Sequence, residues 1–153
     1  QLVSGLKGFA EAPKICLLGI AFKGRPSTDD LRGTMAEPIL DALHEYFPAA
    51  RFYGYDAMVS FDEMREFGLQ PCASLEEAFA GASLVMVLNN HEVFEHMPID
   101  DLATDMRVPS LIYDLWNNFT AADLCLPEGV GYAGLGNLSQ ASSLLNHQMK
   151  GEE

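Results

Sequence analysis

Residues 15–32 read ICLLGIAFKGRPSTDDLR, and the rest of the chain is organised around this stretch. Ile15, Cys16, Leu17, Leu18 and Ile20 form a run that is apolar at nearly every position, interrupted only by Gly19. A strand open to water on one face would alternate, so this run fits a strand buried on both faces, as in a parallel sheet. It then gives way to Lys23, Gly24, Arg25, Pro26, Ser27, Thr28, Asp29, Asp30 and Arg32, which are polar and turn-rich. Open α/β sheets bind ligands beyond the carboxyl ends of their strands, so a basic loop in this position suits an anionic ligand. The charge count sharpens this point. The whole chain has nine Lys and Arg against twenty-two Asp and Glu, yet three of the nine lie between positions 23 and 32.

Working outward, the apolar runs at 14–21, 51–56, 84–88, 110–114 and 130–135 are expected strands. Between them the period changes to that of helices. Thr34 and Glu37 have capping-box spacing ahead of an apolar face of Ile39, Leu40 and Leu43, with Pro38 close to the start and Pro48 as the stop. Residues 61–67 read as a helix closed by Gly68, and 69–72 as a short extended link. Ser74 and Glu77 form a second capping box, with Gly81 as its stop. Residues 93–105 look helical in two pieces divided near Pro98. Strands alternating with helices at this spacing imply βαβ units with right-handed crossovers. The expected fold is α/β, a Rossmann-like three-layer sandwich with a mostly parallel sheet of about five strands. Residues 1–13 read as a short amphipathic helix, 14–138 as the domain, and 139–153 as a polar tail.

Composition narrows the function. At 153 residues the chain suits one domain with a real core. A net charge of −13 argues against nucleic acid or an anionic membrane as partner, since phosphate contacts need broad basic surface. It leaves room for a small anion in one locally basic pocket. No apolar run reaches the length of a spanning helix, and the first residues lack a signal peptide's apolar core. Beginning at Gln1, the chain reads as an excised piece of something longer. Cys16, Cys72 and Cys125 are odd in number and set in apolar surroundings, as expected of reduced core thiols in a cytoplasmic protein.

Several constellations invite chemistry and give little. Gly19 and Gly24 are too far apart for G-x-G-x-x-G, and Phe22 and Lys23 occupy the tight turn, so the dinucleotide fingerprint is missing. His91 and His96 are five apart rather than four and leave a common helical face. A helix start with a satisfied His is the better reading than a metal site. Ser139, Ser142 and Ser143 have no glycine elbow. Asp56 and Asp114 each end a strand, and paired-carboxylate catalysis would need both in one cleft. The basic loop itself has two readings. Asp29 and Asp30 pair with Arg25 and Arg32 in a surface turn, or Lys23 and Arg32 grip a phosphate or carboxylate.

The residues also carry a family resemblance. Gly19-Ile-Ala-Phe22-Lys23 followed by Thr28-Asp29-Asp30-Leu31-Arg32 resembles the G-x-A-F-K and T-D-D-x-R signature of the UDP-glucose/GDP-mannose dehydrogenase family, at the opening of its C-terminal, UDP-binding domain. Tyr55-Asp56, the segment from Ala73 to Ala78, the buried strand running into His91, Tyr113-Asp114 and Gly134-Leu-Gly136 follow in register, so the resemblance spans about residues 14–137. It implies oxidation of a nucleotide sugar's C6 alcohol to a carboxylate with NAD⁺. A separate N-terminal domain would bind NAD and carry the catalytic Cys, and a long helix would dimerise the protein. No residue here matches that Cys. By the same resemblance, Phe22 and Lys23 touch the nucleotide sugar, Arg32 reaches the cofactor in the other domain, and residues 1–13 end the linking helix.

Two departures stand out. Gly24-Arg-Pro-Ser27 puts four residues where the family commonly has two, adding a cation at Arg25 that with Lys23 is expected to anchor the ligand's anionic part. After the fourth expected strand, Trp116-Asn117 stands where many members have an Arg that contacts the sugar nucleotide. Trp116 removes that charge and offers a stacking surface. The expected ligand-binding set is therefore Phe22, Lys23, Arg25, Trp116 and Asn117, with Arg32 toward the cofactor, and no catalytic or metal-binding residue. The rival reading is a non-catalytic Rossmann-like module for nucleotide binding or assembly.

Overall fold

The computed structural model describes residues 12–134. The expected N-terminal helix, apart from residues 12 and 13, which are not helical, and the polar tail lie outside the described residues, as does the end of the strand expected at 130–135. The first strand, β1 (Lys14–Leu18), is followed by α1 (Ala36–Tyr46), β2 (Arg51–Tyr55), α2 (Phe61–Phe67), β3 (Gln70–Pro71) and α3 (Leu75–Phe79). Then come β4 (Leu84–Val87), α4 (Glu92–Glu95), α5 (Ile99–Ala103), β5 (Ser110–Asp114) and β6 (Val130–Gly134). The strands form one six-stranded sheet in the order β3-β2-β1-β4-β5-β6, every pair parallel. This is the doubly wound order of a Rossmann fold. The progression of strand order reverses between β1 and β4, so the switch point lies at the carboxyl end of the strand that opens the domain.

The doubly apolar run of β1 has its physical reason in the two faces of the sheet. Ile15 and Leu17 point into a core with Leu84 and Leu111 of neighbouring strands, Ala36 and Leu40 of α1, and Met64 of α2. Cys16 and Leu18 point the other way, among Val85, Val87 and Ile112, Phe79 of α3, Phe94 of α4 and Leu102 of α5. A strand between two helical layers has no solvent face and needs no polar alternation. The result is three layers.

Four local expectations change. The sheet has six strands because the link at 69–72 pairs through Gln70 and Pro71 with β2. A two-residue strand at an edge tolerates Pro, whose missing N–H faces away from the ladder. The Thr34–Glu37 capping box does not form, and α1 starts at Ala36 without a side-chain cap. Thr34 is buried, and its hydroxyl donates to the carbonyl of Ile20 at 2.6 Å. Pro38, third in the helix, loses nothing there, since first-turn N–H groups have no partner within the helix. At α3, Ser74 accepts from the N–H of Glu77 as expected, but Glu77 returns its carboxylate to the N–H of Ala73. Finally, Cys16 and Cys72 are buried free thiols, whereas Cys125 is exposed, because the segment before β6 runs along the surface.

Candidate functional site at the carboxyl edge of the sheet

The segment between β1 and α1 is an organised loop. Gly19 takes a φ of 86°, and any Cβ there would meet the side chain of Asn89 beyond β4. Ile20 and Ala21 donate their N–H groups to one oxygen of Asp56, at 2.7 and 2.9 Å. The other oxygen accepts from Met58 and Val59. Phe22 N–H donates to the carbonyl of Asp30 at 2.6 Å, which closes the loop on itself. Gly24 is buried against the backbone of His91, where a side chain has no room. The loop thus leans across the end of β4, over the switch point.

Its three cations have different situations. Arg25 donates from Nε to the carbonyl of Asn90 at 3.0 Å and pairs with Glu95 of α4. Arg32 lays its guanidinium fork on Asp30, Nε to Oδ1 at 2.9 Å and a terminal nitrogen to Oδ2 at 2.8 Å. Those bonds hold the Asp30 carboxyl down at about 2. Lys23 is exposed and makes no hydrogen bond or ion pair among the described residues, although its charge also lowers the Asp30 carboxyl. Of the two readings of this loop, Arg32 follows the ion-pair one, with Asp30. Arg25 pairs with Glu95 instead of an aspartate of its own loop.

The second rim is the turn after β5. Asp114 is fully buried, yet its carboxylate accepts from Trp116 N–H at 3.0 Å, Asn118 N–H at 2.6 Å, Asn118 Nδ2 at 3.0 Å and the Tyr132 hydroxyl at 2.8 Å. Burying a carboxylate is tolerable when its lone pairs are met in this way. Trp116 is 49% exposed, and its indole Nε1–H donates to the carbonyl of Leu88 at 2.8 Å. Leu88 in turn donates its N–H to Leu18 at the end of β1. Asn117 is exposed with a left-handed φ of 49°. Phe22, Lys23, Arg25, Trp116 and Asn117 therefore share one edge of the sheet, where β1, β4 and β5 end. Phe22 is half exposed, and the Arg32 side chain is 90% exposed.

Asp56 and Asp114 do not share a cleft. They end β2 and β5, three strands apart, which is roughly 14 Å at ordinary strand spacing. Both serve backbone amides. His91 does what its spacing suggested: it caps α4, with Nδ1 accepting from Val93 N–H at 3.2 Å. Sequence reasoning missed Glu95, whose partner lies seventy residues away. It also missed Asn89, a buried amide that accepts from His91 N–H and abuts Gly19. An Asn closing a buried apolar run was the available signal. Two hollows adjoin the loop through their shared Glu92. One is a polar notch of about 140 Å³ lined by Gly24, Arg25, Pro26 and Ser27. The other is a more apolar groove of about 560 Å³ that includes His91, His96, Met97 and Pro98.

A dinucleotide site of the glycine-rich kind does not fit. Residues 19–35 separate β1 from α1, so the helix start is not delivered to the strand end where a pyrophosphate would meet it, and the loop packs on His91. Together, the sheet order and this loop define a doubly wound α/β domain in which a loop carrying three cations stands in place of the dinucleotide turn. The chain belongs to the UDP-glucose/GDP-mannose dehydrogenase family, matching its UDP binding domain over residues 16–121. It is 30% identical over 138 residues to a UDP-glucose 6-dehydrogenase of Rhizobium meliloti, covering 89% of this chain and 30% of that protein. It is 29% identical over 92 residues to a UDP-N-acetyl-D-mannosamine dehydrogenase of Methanococcus maripaludis, covering 60% of this chain and 19% of the relative. Among solved structures, a UDP-N-acetyl-mannosamine dehydrogenase from Staphylococcus aureus superposes with a TM-score of 0.67 at 25% identity, over 93% of this chain and 30% of that one. The chain thus spans less than a third of the length of these relatives. Among the described residues no helix is long and apolar enough to cross a membrane.

Proposed function

We propose that this chain is the nucleotide-sugar-binding domain of an NAD-dependent nucleotide-sugar 6-dehydrogenase. Residues 14–138 form the domain, 1–13 end a helix linking it to an N-terminal NAD-binding domain, and the full-length protein is a cytoplasmic homodimer. The observation that carries this reading is Lys23. In a chain of net charge −13 it is an exposed ammonium without a partner among the described residues, on a loop fixed over the switch point. A phosphate there receives a charge-assisted hydrogen bond at little cost in rearrangement, because the loop is already closed by Phe22, Gly24 and Arg25. Phe22, Trp116 and Asn117 line the same edge, and Arg25 holds the loop in place. Arg32, directed outward, meets the cofactor held by the other domain. NAD would supply hydride acceptance there, and no residue of this chain takes part in that step.

Calorimetry with UDP and a panel of nucleotide sugars tests the reading. Lys23→Ala should weaken binding by about 1.5–3 kcal/mol, the range for a hydrogen bond to a charged group. Unchanged affinity removes Lys23 from the site. Incubation with NAD⁺ and the same panel should yield no NADH, and turnover by this chain alone would refute its assignment as the non-catalytic part.

One observation favours the rival, a Rossmann-like module serving assembly. Two of the three loop cations are already paired within the chain, which leaves one for a ligand. A thermal-shift panel separates the two readings. A nucleotide at a hundred times its dissociation constant stabilises by about 2.7 kcal/mol, whereas the assembly module shows no shift.

A further inference from the structure

Trp116 is an unusual side chain to leave half in water. It is the chain's one tryptophan, and most of its value to a fold comes from burial. It is nevertheless held at both ends. Its backbone N–H is fixed by the buried carboxylate of Asp114, and its indole N–H by the carbonyl of Leu88. The support is itself locked, because Asp114 is also tied to Asn118 and Tyr132. Besides satisfying these acceptors, the two bonds hold the exposed ring plane in one orientation.

We propose that Trp116 is a stacking platform for the nucleobase of the bound nucleotide. This rests on the nucleotide-binding reading above and names the part of the ligand that meets the second rim. Three features favour a flat base over a sugar ring. The indole N–H is already committed to Leu88, so the open part of the side chain is apolar ring. The carboxylate behind it is saturated by four donors and cannot receive sugar hydroxyls. Hydroxyl recognition needs directed hydrogen bonds, whereas a base needs only a π-face and loses little by lacking them. The spacing also suits one ligand. Lys23 follows β1 and Trp116 follows β5, with β4 between, so the strand ends are two spacings or roughly 10 Å apart. The phosphates and base of a single nucleoside diphosphate span a separation of that order. Leu88 joins the two rims directly, donating to Leu18 and accepting from Trp116.

The single tryptophan provides the readout. Tryptophan emission and heat of binding are followed while the 153-residue chain is titrated with UDP, uridine and inorganic pyrophosphate. UDP and uridine should quench the emission, and pyrophosphate should bind without quenching. Trp116→Ala should lower UDP affinity about ten- to a hundredfold while leaving pyrophosphate affinity unchanged, and Trp116→Phe should recover most of the loss. UDP that binds by heat without quenching in the unaltered protein, with Trp116→Ala binding UDP as well as the parent, overturns the stacking role and leaves the nucleotide reading standing. No binding of UDP or pyrophosphate by any measure overturns both. Because quenching is read on the unaltered chain, poor folding of a variant does not shield the proposal.

Discussion

Tyr132 on β6 donates its hydroxyl to Asp114 at the end of β5, at 2.8 Å, in the buried space beneath the Trp116 turn. The bond links the last described strand to the rim of the site. Burial first, and then this bond to a carboxylate, push the Tyr132 phenol well above its ordinary value. A raised folded-state pKa means that the contribution is complete below about pH 10 and is lost as pH rises through the folded value. In alkaline absorbance titration Tyr132 should therefore ionise late. Tyr132→Phe should cost about 1.5–3 kcal/mol in urea unfolding. Unfolding identical to the parent would mean the bond contributes nothing.

Gly24 has no room for a methyl group, because a Cβ would run into the backbone of His91. Gly24→Ala should force the loop off β4 and destabilise the domain by about 1–3 kcal/mol, as overpacking does. Nucleotide affinity should fall in the same variant. A stable Gly24→Ala protein with parental affinity would show that the loop need not close on His91.

Arg25 and Glu95 separate two roles for a loop cation. If Arg25 acts by pinning the loop, Glu95→Ala and Arg25→Ala should weaken UDP binding to a similar degree. Were Arg25 a direct ligand contact, removing Glu95 would release it and tighten binding. Calorimetry on the two variants decides by the sign of the Glu95→Ala effect.

Asp30 sits at about 2 because Arg32 hydrogen-bonds its carboxylate. A depressed folded-state value means that the pairing is complete above the unfolded value near 4 and is lost as pH falls toward 2. Carboxyl carbon shifts should titrate Asp30 near 2 in the parent and closer to 4 in Arg32→Ala. An Asp30 midpoint near 4 in the parent would mean that Arg32 is free in solution.

The sheet was legible because periodicity is a local property. The run from Ile15 to Ile20 announces a strand between two layers, and Ser110 to Asp114 emerges as a strand with the bounds its sequence suggests. The helix at residues 61–67 ends at Gly68 as read, since a left-handed residue there is a matter of one φ angle, 98°. β3 was hidden because two residues carry no period, and the partner that makes them a strand is elsewhere in the chain.

The site was legible only in part. Sequence alone marked Phe22, Lys23, Arg25, Arg32, Trp116 and Asn117, and tertiary structure set all but Arg32 along the edge where β1, β4 and β5 end. What sequence could not rank was the availability of each charge. Arg25 and Lys23 are near neighbours of the same sign, yet one is tied to Glu95 on α4 and the other is left open. Apolar runs and alternation mark the faces a chain buries, because that preference belongs to side-chain type, but the fold decides which apolar residues, such as Phe22 and Trp116, stay half exposed. Pairing depends on distance, and only the folded chain brings residue 95 to residue 25, or the indole of Trp116 to the carbonyl of Leu88.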